Sequence, residues 1–292
     1  MAQPPNDPAG PETGHAEKPS EIEDPYDIWV SRPVGSVIAT AAAKLGLRPT
    51  HVTVIGGVAG MAGGALLYDR QLGWAAFALL LLHGVLDSAD GQLARRTGQT
   101  SELGRVLDGV GGYVTHIAMY VGVAAGALHR GASDWVLLWM LLAGVATIVH
   151  AQLYDYYRTG YSAVVHEGHV RRNEPAKLSG FLSRLYAAYS AMQHMLVGPH
   201  LQVDSRLRAR AAGGAVRDDD RQLYRASFRR LVCGWNLLGD NVRRLATGVA
   251  VLFGEPVLLF TLILVPVNLA LMTLWVLQRR ADRRFLSQLE VR

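Results

Sequence analysis

Four stretches of this chain run close to the thickness of a bilayer without one Asp, Glu, Lys or Arg. They are 18 residues from His51 to Tyr68, 19 from Val110 to Leu128, 20 from Trp135 to Tyr154 and 23 from Pro256 to Gln278. A helix needs about 20 mostly apolar residues to cross the hydrocarbon core, so each run predicts a span. Two further runs carry charge. Leu72 to Leu86 is apolar but continues into Asp87 and Asp90, and the stretch from Leu231 to Phe253 contains Asp240, Arg243 and Arg244. The expected fold is an all-α, multi-pass integral membrane protein with six transmembrane helices. A mean hydropathy of only +0.15 then requires polar segments elsewhere.

Those segments are legible. Residues 1–24 are rich in Pro, Gly, Glu and Asp and lack an apolar run of signal-peptide length, which predicts a disordered tail. Residues 25–48 mix Trp29, Val34, Val37, Ile38 and Leu45 with Arg32, Lys44 and Arg48, as expected of an amphipathic helix lying in the membrane interface. Residues 49–279 would form the membrane domain, with a polar insertion at about 158–230, and 280–292 a cytoplasmic tail. Within the insertion, Leu178 to Leu196 is a second amphipathic candidate. The short connections at Asp69–Gln71, His129–Asp134 and Gly254–Glu255 carry only Arg70 and Arg130, so 27 of the 29 Lys and Arg residues lie elsewhere. The positive-inside rule therefore places both termini and the insertion in the cytoplasm, most simply at an inner membrane. The formal charge of +5 is then accounted for by anionic headgroups, with no need of nucleic acid. The lone Cys233 cannot form an intramolecular disulfide.

Gly56, Gly60 and Gly64 recur every fourth residue, which makes a flat strip for close helix packing. The chemistry lies one span further on. A carboxylate near mid-membrane costs roughly 2.5–3.5 kcal/mol, so Asp87, Asp90 and Asp108 need a partner or a polar cavity. At 100° per residue, Asp87, Asp90, Gly91, Ala94 and Arg95 share one arc, while Gly104, Asp108, Gly112 and His116 form an i, i+4 stripe. The turn Arg96–Leu103 is short enough to make these helices antiparallel neighbours. Three converging carboxylates repel unless a cation lies between them, and hard oxygen ligands favour Mg²⁺, Mn²⁺ or Ca²⁺. Arg95 offers a fork for phosphate. The competing reading pairs the aspartates with Arg95, Arg96 or Arg105. A cation transporter is disfavoured because the carboxylates sit at one membrane face.

The segment DSADGQLARRTGQTSELGRVLDGVGG resembles the CDP-alcohol phosphotransferase family, whose motif is D-x2-D-G-x2-A-R-x8-G-x3-D-x3-D. The match falls on Asp87, Asp90, Gly91, Ala94, Arg95, Gly104 and Asp108, with Pro49 and Thr53 where many members carry P-N-x-x-T. The resemblance implies a homodimeric membrane enzyme of phospholipid synthesis. It would use Mg²⁺ or Mn²⁺ on Asp87, Asp90 and Asp108, and bind a CDP-linked lipid such as CDP-diacylglycerol through Asp87, Gly91, Ala94, Arg95, Gly104 and Thr53. An alcohol, small or lipid, would displace CMP.

The pattern's last Asp is replaced by Gly112. In the family that carboxylate helps hold the metals and deprotonates the acceptor. Its loss leaves His116, one turn on, as the substitute base, or an acceptor that is already ionised, or a degenerate homologue that binds CDP-lipid or a partner without turnover. A lone His in a span is otherwise a packing residue. Arg158, Arg243 and Arg244 fall where members that use phosphorylated acceptors place phosphate-binding arginines. Their other reading is snorkelling, or pairing with Asp155 or Asp240. Tyr154, Tyr156, Tyr157 and Tyr161 read as an interfacial aromatic belt.

Overall fold

The computed structural model describes residues 20–99, 102–170, 191 and 193–291, with side chains in the fourth helix described from residue 110 onward. Among the described residues the fold is helical, with no strand. We number the helices α1 (Arg32–Lys44), α2 (Pro49–Leu66), α3 (Gly73–Thr97), α4 (Glu102–His129), α5 (Trp135–Val165), α6 (His200–Ala211), α7 (Asp218–Trp235), α8 (Asp240–Leu252) and α9 (Leu258–Val291). A π-helical turn at Ile263–Val267 accommodates Pro266 inside α9.

Four segments are long and apolar enough to cross a membrane: Arg70–Thr97, Val110–His129, Trp135–Val165 and Leu258–Val291. Their outer faces expose large apolar side chains such as Leu141 and Met272, 61% and 66% exposed, as lipid contact requires. The first and fifth of the six expected spans are not among the four. Thr50, His51, Thr53 and a run of glycines dilute the apolar character of α2. The expected span over residues 231–253 is not one helix. A 3-10 turn at Asn236–Leu238 and extended Gly239 break it, leaving α8 with 13 residues, about 20 Å of helix.

The glycine strip does pack. Helix α2 lies between α3 and α4, and a Cβ on Gly64 would come within 2.5 Å of the Met119 backbone nitrogen. One on Gly60 would meet Thr115 Oγ1 at 2.3 Å. Small residues let these backbones approach where lipid offers no hydrophobic drive to bring helices together. Buried hydrogen bonds tie the other helices: Tyr120 to Thr147 between α4 and α5 at 2.6 Å, and His150 to Asn268 between α5 and α9 at 3.0 Å.

Outside the apolar helices, three expectations are corrected. The stretch expected as a tail is helical as far as Val291: it continues α9 with Phe285 and Leu289 buried. It packs with α6, α7 and the end of α5 around Val203, Leu207, Tyr224 and Phe228. The insertion therefore contains two packed helices, α6 and α7, while Leu178–Leu196 lies almost wholly outside the described residues. The predicted disorder of residues 1–24 also fails at its end. Ser20–Ile22 forms a helical turn whose Ile22 is 1% exposed, buried in that same core. A single large apolar side chain suffices to anchor a polar segment when a groove is ready for it; residues 1–19 lie outside the described residues.

Tyr161, Tyr157 and Tyr156 are likewise buried and form no lipid-facing belt. Tyr157 stacks on Trp235 at 4.5 Å, and Tyr156 donates to Asp204. The polar core of the bundle is an ion pair: His200 Nδ1 donates to Asp282 at 2.8 Å, and Gln278 donates to the same carboxylate oxygen at 2.9 Å. Burial opposes a charge on His200, but Asp282 and Asp204 outweigh it and raise its pKa above the ordinary value.

Candidate functional site

The second half of α3 brings Asp87, Gly91 and Arg95 to the edge of a cavity of about 890 Å³. Helix α4 contributes Gly112, Tyr113 and His116; α5 contributes Asp155 and Arg158; α8 contributes Asp240, Arg243 and Arg244. The segment Ile22–Asp27 closes the remaining side. The i, i+4 spacing expected on each helix is thus converted into facing walls. Asp108 and Gly104 lie on α4, and their side chains fall outside the described residues.

Asp87 is exposed to the cavity, and among the described residues its carboxylate has neither a hydrogen-bond nor an ion-pair partner. Asp90, one turn on, is 7% exposed, and its Oδ2 lies 2.5 Å from Thr53 Oγ1. That hydroxyl also lies 3.1 Å from the Pro49 carbonyl, and its single proton serves one acceptor at a time. Thr53 and Ala94 do not line the cavity; Thr53 reaches the site through Asp90. Arg96 turns away to Ser36 and Thr40 of α1. A bare carboxylate beside a second one held in place is a hard oxygen donor set. It suits Mg²⁺ or Mn²⁺, since Mg²⁺ is commonly bound by one or two carboxylates plus substrate phosphates. Among the described residues no group of three potential ligands gathers around one point.

At Gly112 an added Cβ would meet nothing within 4 Å, so the space for a side chain is open. The imidazole of His116 is spoken for. Nδ1 lies 2.8 Å from the Gly112 carbonyl, which can only accept, so Nδ1 carries the proton; Nε2 then accepts from Arg243 Nε at 3.1 Å. The atom a base would use is occupied.

The three cavity arginines expected on the acceptor side differ in what they have left to offer. Arg243, 2% exposed, spends Nε on His116, one terminal nitrogen on the Leu238 carbonyl at 3.0 Å and the other on Asp240 at 2.5 Å. Arg158 lies 3.5 Å from Glu23 and donates to the Tyr154 hydroxyl at 2.5 Å. Among the described residues Arg244 donates to neutral Asn241 alone, at 2.6 Å, and packs on α3 where a Cβ at Gly84 would be 2.8 Å from its Cζ. Glycine at position 84 is what lets the guanidinium approach to within a turn of Asp87.

Sequence reasoning missed two contributors. His83 lines the cavity and donates from Nδ1 to the Gly56 carbonyl at 3.0 Å. Its i, i+4 relation to Asp87 was the available signal. Glu23, from the supposed tail, had none.

These features define a polytopic helical protein with a polar cavity walled by carboxylates and arginines where apolar helices end. A family model described as CDP-alcohol phosphatidyltransferase matches residues 47–201, more than half of the chain, and the chain belongs to that family. Archaetidylinositol phosphate synthase of Pyrococcus horikoshii is 31% identical over 108 residues, which are 37% of this chain and 54% of that protein. The chain thus matches about half the length of this curated relative. No solved structure matches.

Proposed function

We propose that this protein transfers a substituted phosphate, phosphatidyl in the simplest case, from a CDP-alcohol such as CDP-diacylglycerol to an alcohol or phosphorylated alcohol in phospholipid synthesis, releasing CMP. The observation that carries the reading is the Asp87 carboxylate, without a partner among the described residues, in a cavity shared with arginines and large enough for a nucleotide diphosphate. The phosphorylated-alcohol arm is supported by the relative whose name describes synthesis of archaetidylinositol phosphate. We place six crossing segments around the site, with α1 in the interface, both termini and the cavity on the cytoplasmic side, and two copies in the assembly.

In this reading Asp87 and Asp90, with Asp108, hold Mg²⁺ or Mn²⁺. The ion supplies neutralisation of the diphosphate and of the charge that grows on departing CMP. Thr53 keeps the Asp90 carboxylate in position. Gly91 leaves room beside Arg95, where a Cβ would sit 3.4 Å from a terminal guanidine nitrogen, and Arg95 contacts donor phosphate. Arg244 reaches α3 from α8 at Gly84, one turn before Asp87. His116 can take the acceptor's proton only once Arg243 leaves its Nε2; a His116→Ala protein with full rate would remove that role.

The test uses purified full-length protein in detergent with CDP-diacylglycerol, Mg²⁺ or Mn²⁺ and a panel of alcohols. CMP release with at least one alcohol is the expected result. Silence with every acceptor would overturn the reading. If Gly112→Asp, which fits its open space, then gained release, the chain would be a degenerate binder of CDP-lipid.

A further inference from the structure

We infer that the acceptor met at the Arg158 end of the cavity is an uncharged, water-soluble polyhydroxy alcohol, and that Glu23 selects it by holding the guanidinium a phosphate would otherwise take. The inference rests on the transferase reading above and narrows its acceptor.

Glu23 is 3% exposed in its side chain, and one of its oxygens serves both Arg158, at 3.5 Å, and Arg32. Its backbone is not free to withdraw it. Ile22 is buried in the core of the polar bundle, and its carbonyl accepts from Asn236 Nδ2 at 3.1 Å. Glu21 accepts from Tyr161 and from Arg225 Nε, both at 3.0 Å, and Asp27 accepts from Asn241 at 3.0 Å. The segment is thus bolted on both sides of Glu23, and the carboxylate belongs to the wall. A phosphate dianion brought to Arg158 would face that buried negative charge at short range, where the low dielectric strengthens repulsion. A hydroxyl meets no such penalty, and carboxylates accept hydrogen bonds from it.

The remaining positive charge does not restore an anion site there. Each guanidinium nitrogen of Arg243 already donates once, to His116, the Leu238 carbonyl or Asp240, and Arg244 lies against α3 at Gly84. Among the described residues seven carboxylates and five arginines line the cavity, so carboxylates outnumber arginines in its described wall. The polar groups near Arg158, among them Asp24, Asp155 and Thr159, suit a soluble polyol better than a lipid alcohol.

The experiment compares matched acceptor pairs, myo-inositol with its monophosphate and glycerol with glycerol phosphate, in wild type, Glu23→Gln and Glu23→Asp. Wild type should favour the uncharged member. Glu23→Gln should shift kcat/KM toward the phosphorylated member by about tenfold or more, through its KM, and Glu23→Asp should return the preference. A merely structural role would depress both members alike. In parallel, inorganic phosphate is added to each full-length protein without donor and thermal unfolding is followed; stabilisation confined to Glu23→Gln is expected. Preference of the wild type for phosphorylated acceptors, or an unchanged ratio in Glu23→Gln, would overturn the inference while leaving the transferase reading intact. If no protein releases CMP with any alcohol, the transferase reading fails, and the phosphate arm decides whether Glu23 blocks Arg158: equal responses in wild type and Glu23→Gln overturn the block.

Discussion

The two walls of the cavity handle charge in opposite ways. On α3, Asp87 faces the cavity with no partner among the described residues, and Asp90 is held by a neutral hydroxyl. Opposite, Arg243 and Arg158 are already matched to Asp240 and Glu23. A hydrated carboxylate with no described partner is available to a cation from solution, whereas an arginine in a buried ion pair is already committed to the structure. One wall is therefore built to receive something. The other is built mainly to hold its shape, with Arg244 and its neutral partner as the exception.

The contrast predicts unequal mutational effects. The largest falls on Asp87→Asn, which keeps the shape and removes the charge: metal-dependent CMP release should drop by about 10²–10³-fold, with thermal unfolding unchanged. Loss of both activity and stability would mean that Asp87 is a structural partner like those opposite. Next come the two adjacent arginines. Arg243→Ala strips hydrogen bonds from Asp240, His116 and the Leu238 carbonyl and should cost about 1–3 kcal/mol of stability, read by unfolding in detergent. Arg244→Ala should stay within about 0.5 kcal/mol and instead raise the KM for the CDP donor. Equal stability losses in the pair would erase the distinction within the arginine wall.

The smallest effect concerns what fastens that wall. Burial would raise the Glu21 pKa, but hydrogen bonds from Arg225 and Tyr161 and the charges of Arg225 and His166 bring it below the ordinary 4.5. A carboxylate whose folded pKa is depressed contributes stability above its unfolded pKa and loses it as pH falls through the folded value. Proteolysis of the segment around residue 22 should therefore accelerate as pH drops below about 4.5, and in Glu21→Gln it should be fast at every pH. A pH-independent rate in the wild type would detach Glu21 from this role.

Legibility followed the range of the interactions. The α3 wall was readable because Asp87, Gly91 and Arg95 lie within nine residues on one helix, where 3.6-residue periodicity decides which side chains share a face. The glycine strip of α2 was readable for the same reason. The arginines were found as expensive charges in an apolar context, but the contact that ties Arg243 into the opposite helix is not local. Its partner there is His116, 127 positions away. The break at Asn236–Gly239 was hidden by a hydrophobic average that spans it. Residues 20–24 were misread because composition measures a segment's own apolar content, and here one isoleucine found its core on distant helices.

By itself the sequence determined that this is a helical membrane protein with carboxylates at the end of one apolar helix. Length, periodicity and the cost of charge in lipid are properties of contiguous residues. Only the tertiary structure decided which charges are spent. Arg158 meets Glu23, and Arg243 meets His116, across long separations in the chain, and burial brings them together in geometries that no local pattern encodes.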